Sequence, residues 1–139
     1  MHKYNVKEFG VPYAVSDNGS CLFNSVSLAL CGSQDIAKEL RVRTCIEMVI
    51  KKNRFTTLPI SSDLLWVSPN YISSVIECAQ ECGWSSIWTI FALAEVIGIP
   101  IKSLYLPLNG VKDFSYKILN LTAIPRNCKD EENRITVMW

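Results

Sequence analysis

Apolar residues fall at helical spacing along the first half of the chain. Leu22, Val26 and Ala29 share one stripe of a segment running from Cys21 to Cys31, which predicts a helix there. Gly32 follows as a natural C-cap. Ile36, Leu40, Ile46, Val49 and Ile50 predict the core face of a second helix, roughly Asp35 to Lys52, with Ser33 and Asp35 as capping candidates. Phe55 to Pro69 holds two prolines and reads as a connector. Ile72, Val75, Ile76 and Ala79 predict a third helix over Asn70 to Cys82, ended by Gly83.

The pattern then changes. Trp84 to Ile101 is the most apolar stretch of the chain, but it carries Glu95 and is broken by Gly98 and Pro100. It is shorter than the ~20 apolar residues of a bilayer span. It predicts a fourth helix, capped by Ser85 or Ser86 and apolar on every side through Ile87, Trp88, Ile90, Phe91, Leu93, Ala94 and Val96, hence buried on most sides. Gly98 stops it, and Pro100 leads into a strand over Ile101 to Leu106. A turn at Asn109-Gly110 leads toward Tyr116 to Leu119, Cys128 to Asn133 forms a charged loop, and Ile135 to Trp139 is the last strand. Helices precede strands, which predicts an α+β fold with a small mixed sheet packed between helices. No repeat or linker divides the 139 residues, so one domain over 1–139 is expected. The chain stops inside the last predicted strand, as a cut fragment would.

Composition narrows the function classes. A hydrophobic fraction of 49% against 19% charged residues excludes general disorder. Lys plus Arg is 14 and Asp plus Glu 13, a net charge of +1. That balance lacks the basic footprint of a nucleic-acid binder and gives no reason to expect a membrane surface as partner. Met1 to Glu8 contains no apolar signal core, so a cytoplasmic or nuclear protein with reduced thiols is expected. The sequons at Asn18 and Asn120 would then go unused. The six cysteines form no C-x-x-C pair. Cys78 and Cys82 lie four apart on a predicted helix, yet His2 is the single histidine, so no zinc set assembles and neither metal nor cofactor is expected. Cys31, Cys45, Cys78 and Cys82 read as small buried apolar filler.

Cys21 is different. It follows the turn-forming run Asp17-Asn18-Gly19-Ser20 and opens a predicted helix. Unpaired N–H groups and the positive end of the helix dipole favour a thiolate there, and the thiolate is the nucleophile. The same N–H groups are placed to donate to an oxyanion, and small Gly19 and Ser20 admit a substrate backbone. On spacing alone, one cysteine after a turn is more often simply a buried helix residue.

The run Asn18-Gly19-Ser20-Cys21-Leu22-Phe23-Asn24-Ser25-Val26 resembles the nucleophile motif of the ovarian tumour (OTU) family of cysteine peptidases. A second segment, Trp84-Ser85-Ser86-Ile87-Trp88 through Ala92-Leu93-Ala94-Glu95-Val96-Ile97-Gly98-Ile99-Pro100-Ile101, is similar to that family's Trp-Gly helix and following strand. Ile87 to Leu108 and Ile135 to Trp139 also resemble the OTU-related region of vertnin-like and transposon-associated animal proteins. The resemblance implies a papain-like OTU fold and hydrolysis of ubiquitin isopeptide bonds, with ubiquitin or polyubiquitin as partner. Cys21 would be the nucleophile, Asp17 or Asn18 the polar residue ahead of it, and the backbone at Gly19 and Ser20 the oxyanion hole. Trp88 and Phe91 are assigned to the core.

Two departures from the pattern bear on activity. The family places Asp three residues before Cys, where this chain has Asn18, with Asp17 one further back. The family's histidine lies near the end of the domain, and no histidine follows His2. A thiol peptidase needs an imidazole to take the thiol proton and protonate the leaving amine. The resemblance therefore leaves an incomplete or weakly active deubiquitinase domain beside a catalytically silent binding or structural module.

Overall fold

A computed structural model describes residues 18–138. Its elements in chain order are α1 (Cys21–Cys31), α2 (Ala37–Ile50), α3 (Lys52–Thr56), α4 (Ser61–Val67), α5 (Tyr71–Ala79), α6 (Ile87–Ile97), β1 (Ile101–Leu104), a 3-10 turn at Leu108–Gly110, α7 (Phe114–Leu119), β2 (Thr122–Ala123) and β3 (Ile135–Met138). The strands form one sheet in the order β2-β1-β3. β1 runs antiparallel to β2, pairing Ile101 with Ala123, and parallel to β3, pairing Ile101 with Ile135. The fold is the expected α+β class, with a small mixed sheet beside a layer of helices.

Helix ends follow local chemistry. Gly32 and Gly98 adopt φ of 75° and 68°, and each closes its helix through a backbone N–H to the carbonyl four residues back. Ser86 and Thr89 form a reciprocal capping box on α6. Ser33 and Asp35 bond each other rather than cap α2; the N-cap is Ile36, whose N–H donates to the buried Ser27 hydroxyl at 3.2 Å. The Asn109-Gly110 turn is present, with φ of 51° and 75°.

α6 is the centre of the core. Ile87, Trp88, Ile90, Ala92, Leu93 and Ala94 are all buried. Trp88 donates its Nε1 proton to the Ser68 carbonyl at 3.0 Å and meets Tyr71 edge-on at 5.2 Å. Phe91, also assigned to the core, is half-buried against it.

Several expected elements and faces are corrected. The connector 55–69 folds into α4 and the end of α3, because Phe55 and Leu64 are buried and anchor these short helices. α5 ends at Ala79 rather than Cys82, and β1 ends at Leu104 rather than Leu106. Tyr116 to Leu119 lies in a helix, and β2 is an additional two-residue strand. On α2 the predicted core residues Ile46, Val49 and Ile50 are exposed, and the buried face is Ala37, Leu40, Arg41, Thr44 and Met48. On α5, Ile72, Ile76 and Ala79 are exposed, and Tyr71, Ser74 and Cys78 face inward. Hydrogen bonding decides both cases. Tyr71 donates its hydroxyl proton to the Met48 carbonyl at 2.7 Å, and both Nη atoms of Arg41 donate to backbone carbonyls, so these polar ends are buried with partners. The cysteines divide likewise: Cys78 is buried and Cys45 half-buried, but Cys31 and Cys82 are exposed and are not filler.

Candidate functional site

The turn ahead of α1 is built by Asn18. Its side-chain Oδ1 accepts from the Ser20 N–H at 3.0 Å, and its carbonyl accepts from the Cys21 N–H at 3.0 Å. This is an Asx turn, for which an amide serves as well as a carboxylate. Donation from the Ser20 N–H to an oxyanion would first have to replace that bond. Asp17, the other candidate for this role, lies outside the described residues, as do His2 and Trp139.

Gly19 is buried, and its place in the turn admits no side chain: a Cβ there would lie 1.8 Å from the Cys82 carbonyl oxygen. The turn thus lies directly on the loop between α5 and α6. Gly83 on that loop is equally confined, with a Cβ falling 1.8 Å from the Glu77 carbonyl oxygen.

Cys21 is the first residue of α1 and is half-buried. Ser25 Oγ donates to its carbonyl at 2.8 Å, one turn on. Leu22 and Phe23 beside it are buried in the core, and β3 packs on α1. The thiol-bearing end of the helix is therefore fixed from behind while the cysteine keeps partial exposure. A groove of about 650 Å³ opens next to the turn, lined among others by Asn18, Ser20, Asn24, Arg41 and Cys45; Cys21 is not part of its wall.

The other thiols differ in setting. Burial, more than any neighbouring charge, pushes the Cys78 thiol up to about 12. Exposed Cys31, at the far end of α1, is held below its ordinary value chiefly by hydrogen bonding to the Ser33 backbone. Among the described residues, no group of three or more His, Cys, Asp or Glu side chains is arranged to hold a metal ion. No described helix is long and apolar enough to cross a membrane.

Sequence reasoning missed Arg41. It is 6% exposed. Its Nη1 donates to the carbonyls of Cys78 at 3.2 Å and Gln80 at 3.0 Å. Its Nη2 donates to the Gly19 carbonyl at 3.0 Å, the Ser20 hydroxyl at 3.1 Å and the Gly83 carbonyl at 3.1 Å. The guanidinium also lies 4.6 Å from the centre of the Phe23 ring. The signal was present in the heptad-like spacing of Ala37, Leu40, Arg41, Thr44 and Met48, which places Arg41 in the middle of a helix face.

Known proteins agree with this architecture. In the solved structures, the chain matches the OTU domain of OTUD1 with a TM-score of 0.58 at 16% identity, covering 91% of this chain and 77% of that one. It matches the viral OTU domain protease from Dera Ghazi Khan virus with a TM-score of 0.61 at 12% identity, covering 97% and 79%. At these identities the likeness shows the fold. In sequence, vertnin from Bos taurus is 26% identical over 151 residues and vertnin from Homo sapiens 25%, each match covering 93% of this chain. Vertnin from Danio rerio is 24% identical over 153 residues. The chain spans about a fifth of the length of these relatives. The family model described as "Vertnin, OTU domain" matches residues 12–68 and 61–139. By that match, which takes in most of its length, the chain belongs to the vertnin OTU-domain family.

Proposed function

We propose that this chain is a ubiquitin-directed OTU module whose nucleophile is Cys21. In this reading the Cys21 thiolate attacks the carbonyl carbon of ubiquitin's C-terminal glycine. A carbon–sulfur bond forms, the isopeptide carbon–nitrogen bond breaks, and the lysine amine leaves with a proton; water then releases ubiquitin from the thioester. The observation that carries the reading is the half-buried thiol at the first position of α1, behind a turn that tolerates only glycine at position 19. A fold neighbour bearing the name protease supports it.

The reaction is limited by its proton donor. No histidine follows His2 in this chain, so within residues 18–138 no imidazole is present to take the thiol proton or supply the leaving amine. The expected behaviour is single capture rather than turnover. A ubiquitin probe with a C-terminal electrophile tests this. Covalent capture that disappears in Cys21→Ala, with little cleavage of diubiquitin, is the expected result. A chain that neither captures nor binds ubiquitin sinks the proposal. The missing imidazole favours one second reading, a catalytically silent ubiquitin-binding module, for which reversible binding without capture would be the signature.

A further inference from the structure

We propose that Arg41 is a positioning residue for Cys21: its guanidinium fixes the Gly19-Ser20 turn against the Cys82-Gly83 backbone and so sets where α1 presents its first side chain. The proposal rests on Cys21 being the nucleophile.

Five acceptors surround the guanidinium, and they come from two distant segments. Nη1 reaches the C-terminal end of α5 through Cys78 and Gln80. Nη2 reaches both the turn before Cys21, through Gly19 and Ser20, and the loop before α6, through Gly83. Every one of these partners is a carbonyl or a hydroxyl. A buried cation held by dipoles alone carries a desolvation cost that its partners must offset, so filling space does not account for it. What the planar fork adds is geometry: its N–H vectors are rigidly related, so satisfying Cys78 and Gln80 dictates where the Gly19 carbonyl must lie.

The packing leaves the turn little freedom to settle elsewhere. Gly19 lies so near Cys82 that no Cβ fits between them. The Ser20 N–H and the Cys21 N–H are both tied to Asn18, so the turn moves as a unit. The Gly19 carbonyl and the Ser20 hydroxyl, which point away from that internal network, are the groups Arg41 holds. Displacement of an attacking atom by about 1 Å can cost on the order of a hundredfold in rate, so an anchor two residues from the sulfur bears on reaction. Lysine cannot substitute, because an ammonium is a point charge on a flexible stem and cannot span both segments.

The test uses Arg41→Lys in the whole chain, with two readouts that need no ubiquitin. The first is amide exchange at Ser20 and Cys21 relative to Leu93 in the α6 core. The second is iodoacetamide alkylation of Cys21, resolved by mass spectrometry and referred to Cys31 in the same molecule. Expected are exchange in the turn about tenfold faster with Leu93 changed much less, and a Cys21-to-Cys31 alkylation ratio shifted about threefold or more. Where the wild-type chain is captured by the electrophilic ubiquitin probe, capture should slow about tenfold or more in the variant. Exchange that rises equally at Ser20 and Leu93, an unchanged alkylation ratio, or undiminished capture overturns the proposal and leaves Arg41 a stability residue. If Arg41→Lys does not fold, Ser20→Ala decides: it removes one acceptor and should give a smaller shift of the same kind, and no shift overturns the proposal. A wild-type chain that the probe does not capture refutes the peptidase reading alone, since exchange and alkylation still decide the role of Arg41.

Discussion

Helices α2 and α6 pack against each other, but they are held in opposite ways. α6 buries a continuous apolar surface, from Ile87 to Ala94, and its polar Thr89 is engaged in its own capping box. Its position is set by shape, and neighbours fill the space around Trp88. α2 turns a mixed face inward, with Arg41 and Thr44 among Ala37, Leu40 and Met48, and leaves its aliphatic stripe of Val42, Ile46, Val49 and Ile50 exposed. Its directed bonds come from Arg41, while the buried Thr44 hydroxyl has no hydrogen-bond partner among the described residues. The difference separates two tasks: the α6 side of the core supplies stability, and the α2 side specifies the turn that carries Cys21.

The largest effect should come from emptying the α6 side. Trp88→Ala removes a fully buried indole, its bond to Ser68 and its edge contact with Tyr71. Truncating a buried Trp costs about 3–5 kcal/mol, against a total of about 5–15 kcal/mol for an ordinary domain. Urea denaturation should show that loss. A cost under about 1 kcal/mol would mean the core is not centred on α6.

Arg41→Met should come next. Bonds to a charged donor contribute about 1.5–3 kcal/mol each, but the apolar replacement relieves the desolvation of the cation, so a net loss of about 2–3 kcal/mol is expected. Gly19→Ala should cost about 1–3 kcal/mol by overpacking, since its Cβ collides with Cys82. Both changes loosen the same turn, so the double variant should lose less than the sum, with a coupling of at least about 0.5 kcal/mol in a double-mutant cycle. Strict additivity would show that Arg41 and the turn are independent.

These two helices also show what the sequence could tell. α6 was legible because a helix apolar on all sides has one environment available, and Trp88, Ile90, Leu93 and Ala94 all occupy it. The start of α1 was legible because Asn18, Gly19 and Ser20 carry turn chemistry, and the bonds from the Ser20 and Cys21 N–H groups back to Asn18 are local. α2 was misread because Ile46, Val49 and Ile50 outweigh Arg41 on any scale of hydrophobicity. Arginine ordinarily reads as solvated, and the carbonyls that make its burial possible come from residues 19–83, a set of partners that no local window contains. The α5 face failed for the same reason: Tyr71 goes inward because the Met48 carbonyl awaits its hydroxyl, while Ile72 and Ile76 remain outside.

The same buried seam gives a pH dependence. Burial first, and the neighbouring Cys45 next, raise the Cys78 thiol from an ordinary 9.0 to about 12. Burial likewise raises Tyr71 from 10.0 to about 12. Both groups are neutral when protonated, so above pH 9 the unfolded chain releases protons that the folded chain retains. Their contribution is complete below pH 9 and declines as pH rises from 9 toward 12. By pH 10 the Cys78 part of that loss is on the order of 1 kcal/mol. Cys78→Ala should therefore flatten the stability profile between pH 9 and 10 in urea titrations, where most of the Tyr71 contribution is still intact. A profile identical in wild type and variant would place Cys78 in contact with water.

The smallest effect should come from the outer face of α2, and it is the sharpest check on the comparison. Ile46 is 51% exposed, and Glu39–Arg43 and Glu47–Lys51 pairs lie on the same helix. Ile46→Gln exchanges an aliphatic side chain for a polar one of good helix propensity without disturbing a single inward bond. If the inner bonds of Arg41 and the packing of α6 hold α2 in place, the free energy of unfolding should change by no more than about 0.5 kcal/mol. The same substitution at inward Leu40 should cost several times more, since it buries an amide without a partner. A loss above about 2 kcal/mol at Ile46 would show that this face is covered in the folded chain, and the division between an α6 side built on shape and an α2 side built on bonds would fail.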